Sequence, residues 1–314
     1  MQKHYNVRII SPAAKERLVG RLDRRKLYEL KADIHGVCVK FFTDNPDFKE
    51  MWGENFEAMP DWIRPHARLF AISGPAFCVM YEPVSRTVII RNCGYYGWVK
   101  SIALGLVAEF FEDVPSEHRR YSVHGSFVDS GGRGIALVGP PKSGKTTLTY
   151  GLLLDSNNNF LTDDWFFVRI AGKDTLVSSA EKNSYVGMDL LKNWPQLAGK
   201  LKGLKPDGRD RAVIDVKRLF GEERIRKGST LSLVVLLMRE KGKPAIRRLS
   251  GKEAVAFMVA NDFCNPHQLV RTAAKIAGRK KFFAELFGRV PAYLLNTIET
   301  PQESLERIRR LPRG

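Results

Sequence analysis

Apolar residues along this chain recur with two periods, about 3.6 and about 2, which divide it into helices and strands. Ser11-Pro12 marks a helix start, with serine as the cap and proline at the first helical position, and the helix is predicted to reach about residue 30. Residues 34–42 read as a strand, stopped by Thr43-Asp44-Asn45-Pro46. In 47–59, Phe48, Met51, Trp52 and Phe56 fall at helical spacing, so their aromatic stripe is predicted to be core. Short strands are predicted at 69–72, 76–81 and 87–90, and an apolar-rich helix at 98–111. Strands at 119–129 and 134–138 follow, joined by the turn Ser130-Gly131-Gly132-Arg133. Beyond them come a helix at 147–154 and strands at 160–162, 165–170, 175–178, 213–216, 231–238 and 245–249. Two helices, 251–261 and 267–287, lead to a strand at 292–298. Thr300-Pro301-Gln302-Glu303 then fits a capping box that opens a last helix.

One stretch turns this pattern into chemistry. Gly139-Pro140-Pro141-Lys142-Ser143-Gly144-Lys145-Thr146 matches G-x-x-x-x-G-K-[ST] without a mismatch, between a predicted strand and a predicted helix. In that context the backbone N–H groups and the helix N-terminus converge on an anion, and Lys145 adds a full positive charge. Gly139 through Thr147 are therefore the candidate nucleotide-binding residues, and Thr146 is placed to put its hydroxyl on Mg²⁺. The apolar strand 231–238 ends in Arg239-Glu240, a poor match to the single downstream carboxylate of many phosphate-loop motors. Instead Asp163 and Asp164 lie 18 and 19 residues after Lys145, at the end of the next strand. Neighbouring positions on an extended segment face opposite ways, so the two carboxylates should have different tasks, one at a metal and one as a base. The structural alternative is a turn or cap before Trp165.

Composition narrows the partners. The 314 residues carry 51 Lys and Arg against 34 Asp and Glu, a net charge of +17 that favours an acidic partner. Residues 200–227 are the most basic, but acids are interleaved there and no aromatic–basic alternation appears. Nucleic acid is thus possible but not favoured over a solvated face beside a phosphate site. Cys38, Cys78, Cys93 and Cys264 stand far apart without a C-x-x-C pair and read as reduced thiols. The apolar run in 231–238 is too short to insert in a membrane, and Met1-Gln2-Lys3-His4-Tyr5-Asn6 opens no secretion signal. A cytoplasmic protein is the expectation.

These residues resemble the HPr kinase/phosphorylase family, whose phosphate-loop core is shared with ATP-dependent phosphoenolpyruvate carboxykinase. Val123-His124-Gly125, the loop 139–146, Asp163-Asp164, and Asp207-Gly208-Arg209-Asp210-Arg211-Ala212-Val213-Ile214-Asp215-Val216 are similar to its successive motifs, as is Arg248-Leu249. The resemblance covers about residues 121–250. It implies an α/β carboxykinase-like core over 119–314, with residues 1–118 forming an α+β part outside the family's own N-terminal domain. It further implies ATP at Lys145 and the loop, Mg²⁺ held by Thr146, Asp163 and Asp207, Asp164 as general base, His124 beside the phosphates, and Arg248 on the transferring charge. Taken from the residues alone, His124 could equally be a packed core histidine, Asp207 part of a polar turn, and Arg248 a basic strand edge.

The chain departs from the family pattern where Asp207 replaces a glutamate and Asp210 and Ala212 replace glycines. The segment linked in the family with dephosphorylation has no counterpart, which implies a one-way kinase and points away from HPr itself as acceptor. The expected function is ATP- and Mg-dependent phosphorylation of a hydroxyl on an acidic protein, a peptide or a small molecule, by a homo-oligomer. The alternatives are a nucleotide-binding scaffold without transfer and a nucleic-acid-associated phosphate-loop ATPase.

Overall fold

In the computed structural model, which describes residues 5–22, 26–113, 118–187, 190–199 and 211–312, the chain divides into two compact units. The first comprises Met1–Arg119 together with Pro266–Lys275. Its strands are β1 (Val7–Ile9), β2 (Tyr28–Ile34), β3 (Val37–Thr43), β4 (Glu57–Ala58), β5 (Ala67–Ile72), β6 (Cys78–Glu82) and β7 (Thr87–Arg91). They form one sheet in the order β1-β6-β7-β5-β3-β2-β4. Its helices are α1 (Pro12–Gly20), α2 (Pro46–Asn55) and α3 (Tyr96–Asp113). The aromatic stripe of α2 is core as expected: Phe48, Trp52 and Phe56 are buried, and Trp52 stacks on Phe41 at 4.3 Å.

Two expectations in this unit fail for physical reasons. The first helix stops at Gly20, and Tyr28–Ile34 is a strand instead of its continuation. His35 and Gly36 both adopt positive φ (59° and 83°), as a tight hairpin turn requires, and they fold β2 antiparallel onto β3. The helix predicted from residue 267 begins only at Ala273. Before it, side chains claim the segment: the Tyr5 hydroxyl meets His267 Nδ1 at 2.8 Å, and Glu109 accepts from the Val270 N–H at 3.3 Å.

The second unit comprises Arg120–Asn265 and Ile276–Gly314. It holds β8 (Arg120–Ser130), β9 (Arg133–Val138), α4 (Lys145–Leu153), β10 (Asn158–Thr162), β11 (Trp165–Ala171) and β12 (Asp174–Ser178). Then follow β13 (Asn183–Gly187), α5 (Leu190–Asn193), β14 (Arg211–Asp215), α6 (Val216–Phe220), β15 (Gly228–Met238), β16 (Ile246–Leu249) and α7 (Gly251–Ala260). Last come α8 (Ala273–Arg289), most of which lies in this unit, β17 (Ala292–Asn296) and α9 (Pro301–Arg309), which opens on the expected Thr300–Glu303 capping box. β13 and β14 pair as a separate two-stranded sheet, and β13 had no clear signal in the sequence.

The large sheet is mixed. β9, β15 and β17 run parallel, while β8 and β16 flank them antiparallel. Alternate residues of β9 and β15 enter different cores. Ile135, Leu137, Leu233, Val235 and Leu237 pack with Leu148 of α4 and Leu305 of α9. Ala136, Val138, Val234 and Leu236 pack instead with Met258 of α7 and Phe283 of α8. Covering on both faces explains why these strands are continuous apolar runs without alternation. The four cysteines are free thiols, and no helix among the described residues is long and apolar enough to cross a membrane.

Candidate active site

The phosphate loop leaves the sheet where β9 ends, at the carboxyl end that β15 and β17 share. Ligands of α/β sheets gather at such ends. The loop's glycines are needed by the backbone. A Cβ on Gly139 would lie 2.7 Å from the Leu237 carbonyl, and Gly144 caps α4 with φ of 96°. Lys145 folds back over the loop, its Nζ donating to the Gly139 carbonyl at 2.7 Å and the Pro140 carbonyl at 3.1 Å. Burial draws this ammonium below the ordinary lysine value, while Cys264, Asp164 and Asp163 oppose that pull, so all three lie within its field. The Ser143 hydroxyl is buried and has no partner among the described residues. An orphan donor, a lysine and a turn of helix N–H groups are what a triphosphate would satisfy, so the residues fit the nucleotide.

Two residues absent from the sequence reading stand beside this loop, and one of them, Thr297, bonds to it. Thr297, just past β17, places its hydroxyl 3.0 Å from the Ser143 carbonyl and 3.1 Å from the Met238 carbonyl at the end of β15. Beside it, buried Asn296 accepts from the Glu240 N–H at 3.0 Å and donates to the Glu240 carbonyl at 2.7 Å. Only the sharp change from apolar β17 to Asn-Thr could have signalled them. A hydrogen bond of this kind contributes about 1 kcal/mol net, so Thr297→Val is expected to weaken nucleotide binding about fivefold, with Thr297→Ser restoring it. Equal affinities for the two variants, read by calorimetry, would remove Thr297 from this role.

Asp163 and Asp164 interrupt what is otherwise one extended course along β8. Thr162 pairs with Phe127 before them and Trp165 with His124 after them, and the Gly125 N–H donates to the Asp164 carbonyl at 2.9 Å across the break. The two side chains differ in burial and in neighbours. Asp163 is buried, and its charge is felt by Lys145 and Tyr150 of α4. Asp164 is more open, with Oδ1 lying 3.1 Å from His124 Nε2. His124 Nδ1 lies 2.8 Å from the Cys264 carbonyl, a group that can only accept.

The segment that supplies that carbonyl is unusual. Asp262, Phe263 and Cys264 adopt φ of 50°, 54° and 55°, three successive non-glycine residues in the left-handed region. This conformation costs roughly 1–2 kcal/mol per residue. Packing holds it, since Cys264 is fully buried and Phe263 stacks on Phe283 at 5.7 Å. Burial pushes the Cys264 thiol up to about 12, against the opposing pull of Lys145.

The structure thus brings Lys145, Asp163, Asp164 and His124 together beside the loop. It does not bring Arg248 to them. Arg248 is exposed on edge strand β16, separated from β9 by both β15 and β17, so its position in a motif does not place it at the phosphates. At the end of β15, beside the loop, stands exposed Arg239. Asp207, with Lys200, Lys202 and Lys205 of the basic stretch, lies outside the described residues. Among the described residues no three His, Cys, Asp or Glu side chains are grouped to hold a metal by themselves. Mg²⁺ commonly takes one or two carboxylates and completes its shell with phosphates and water. The Thr146 hydroxyl, next to Lys145 in the chain, and Asp163, in the field of that lysine, are donors of the type Mg²⁺ takes.

No family model matches this chain. It is 29% identical over 147 residues to an HPr kinase/phosphorylase from Chlorobium limicola, covering 47% of this chain and 38% of the relative. It is 30% identical over 133 residues to one from Chlorobium phaeobacteroides, covering 42% and 33%. A third, from Lachnoclostridium phytofermentans, is 29% identical over 118 residues, covering 38% and 32%. Over the matched part, this chain is HPr kinase-like. The match spans about a third of the length of these curated relatives. The solved Hpr(Ser) kinase/phosphatase from Coxiella burnetii aligns with a TM-score of 0.34 and 17% identity, over 60% of this chain and 95% of that one.

Proposed function

We propose that this chain is an ATP- and Mg-dependent kinase that transfers the γ-phosphoryl group to a hydroxyl, with serine of a protein or peptide as the favoured acceptor, on a carboxykinase-like phosphate-loop core. The observation that carries this reading is the placement of Asp164 against His124 in the field of the loop lysine. A site that only bound nucleotide, or only moved a motor, would need the loop without a second carboxylate oriented by its own histidine. The kinase names of the relatives support the same class of reaction.

MgATP, when bound, supplies the phosphoryl group and neutralises its charge. Lys145 and the loop N–H groups hold the phosphates, while Thr146 and Asp163 serve the metal, joined by Asp207 as the resemblance implies. Asp164, one oxygen held by His124, takes the proton of the acceptor hydroxyl. The new O–P bond forms as the bond to the β-phosphate oxygen breaks, and ADP leaves. Preorganised positioning and charge do the work, as this chemistry requires.

The test is incubation of γ-labelled ATP and the purified protein with host lysate, followed by identification of labelled products by mass. A labelled serine ester is the expected result. Hydrolysis without a labelled product, or hydrolysis stimulated by added nucleic acid, would favour the scaffold or ATPase alternatives. Because the segment tied to dephosphorylation is not visible in the sequence, excess inorganic phosphate is expected to leave the isolated product phosphorylated. Release of label from that product would show a reversible enzyme.

A further inference from the structure

The left-handed turn after α7 packs Phe263 and Cys264 inward and turns a backbone carbonyl to the site. Its three residues are not glycines, yet they wind opposite to the helix they follow, closed by bonds from the Cys264 N–H to the Asn261 carbonyl at 2.9 Å and from the Asn265 N–H to the Asp262 carbonyl at 3.1 Å. A right-handed turn is the cheaper way to end a helix. Backbone strain held by surrounding packing points to function when it delivers a group to a site. Here it delivers the Cys264 carbonyl to His124 Nδ1 in a buried contact between residues 140 apart in sequence. A right-handed turn would carry that carbonyl round the other side of the axis and leave Nδ1 without it.

We propose that Asp262–Cys264 is a positioning element of the transfer site, whose Cys264 carbonyl fixes a proton on His124 Nδ1 and so makes Nε2 the nitrogen presented to Asp164. The consequence for turnover rests on the kinase reading above, but the state of the ring does not. With the opposite tautomer, Nδ1 would set a lone pair against the carbonyl. The ring would then turn or withdraw, and Oδ1 of Asp164 would lose its fixed neighbour. The orientation of the base depends in this way on a backbone carbonyl behind the ring that faces it.

The 314-residue chain labelled with ¹⁵N-histidine contains six histidines, which long-range proton–nitrogen correlation resolves, with His124→Gln assigning the signal. The expected result is a protonated Nδ1 on His124, whether or not Nε2 is also protonated. A matched pair of variants isolates the backbone. Asp262→Gly and Asp262→Val both remove the carboxylate, but glycine accepts positive φ and a β-branched residue resists it. The glycine variant is expected to keep the Nδ1 signature. The valine variant is expected to lose it and to lower kcat at least tenfold with little change in the KM for ATP.

A neutral ring protonated at Nε2 in the wild-type protein overturns the proposal, as does a folded valine variant with an unchanged signature. If the valine variant does not fold, the wild-type spectrum still decides. An Nε2-protonated ring in a protein that phosphorylates its acceptor sinks the role of the turn alone. A protonated Nδ1 in a protein that transfers nothing sinks the kinase reading alone.

Discussion

Lys145→Ala is expected to abolish phosphoryl transfer and to weaken MgATP binding by about ten- to a hundredfold. The affinity loss follows from removing a charge-assisted contact worth about 1.5–3 kcal/mol. The loss of turnover is larger, on the order of a thousandfold, because charge builds on the transferring group in a site that excludes water. Lys145 is suited to that task by its surroundings. It is buried, it now rests on two carbonyls of its own loop, and both aspartates lie in its field. Those carbonyls are poorer partners for an ammonium than a triphosphate, so the lysine is held ready and released to the ligand at little cost. Lys145→Met, closer in volume, separates lost charge from lost packing. Near-normal turnover in either variant, measured beside thermal unfolding, would remove the loop from the mechanism.

The second large effect is expected at Asp164. Asp164→Asn keeps the shape of the side chain but cannot take the hydroxyl proton, and it replaces the carboxylate that faces His124 Nε2. Turnover should fall by about 10²–10⁴, the usual range for a lost general base, while MgATP affinity changes little. Asp163→Asn should behave oppositely. Its carboxylate is buried and is the one whose charge Tyr150 of α4 feels, and it is the side chain assigned to the metal, so its loss should first disturb MgATP. Calorimetric affinities set beside single-turnover rates distinguish the two. Lost MgATP binding in Asp164→Asn together with lost turnover alone in Asp163→Asn would reverse the assignment.

How much of this was legible in the sequence varies with the distance over which each feature is determined. The phosphate loop is read directly, because its glycines answer local backbone demands that the fold then displays at Gly139 and Gly144. The aspartate pair is legible as a pair, from its place directly after the strand that follows the loop helix. That Asp164 would meet His124 needed the register of β11 on β8. Arg248 shows the limit of motif position, for strand order alone sets it on the far edge of the sheet. Cys264 gave no local signal at all: its role lies in a carbonyl aimed at a residue 140 positions earlier, from a left-handed turn that contains no glycine to announce it. In the first unit, the helix is carried to about Leu30 and the strand opens only at Ile34 in the sequence reading, because the two-residue turn His35-Gly36 is not recognised as a hairpin between β2 and β3.

The central claim is that this site moves the γ-phosphoryl group of ATP onto a hydroxyl with Asp164 as base. Its most direct measurement compares the wild-type protein with Asp164→Asn, both saturated with γ-labelled MgATP and mixed with the same acceptor fraction. Both proteins are predicted to bind MgATP with similar affinity, and only the wild type to place label on an acceptor hydroxyl during the first turnover. Equal label transfer by the two proteins, or none by the wild type despite bound MgATP, would contradict the account.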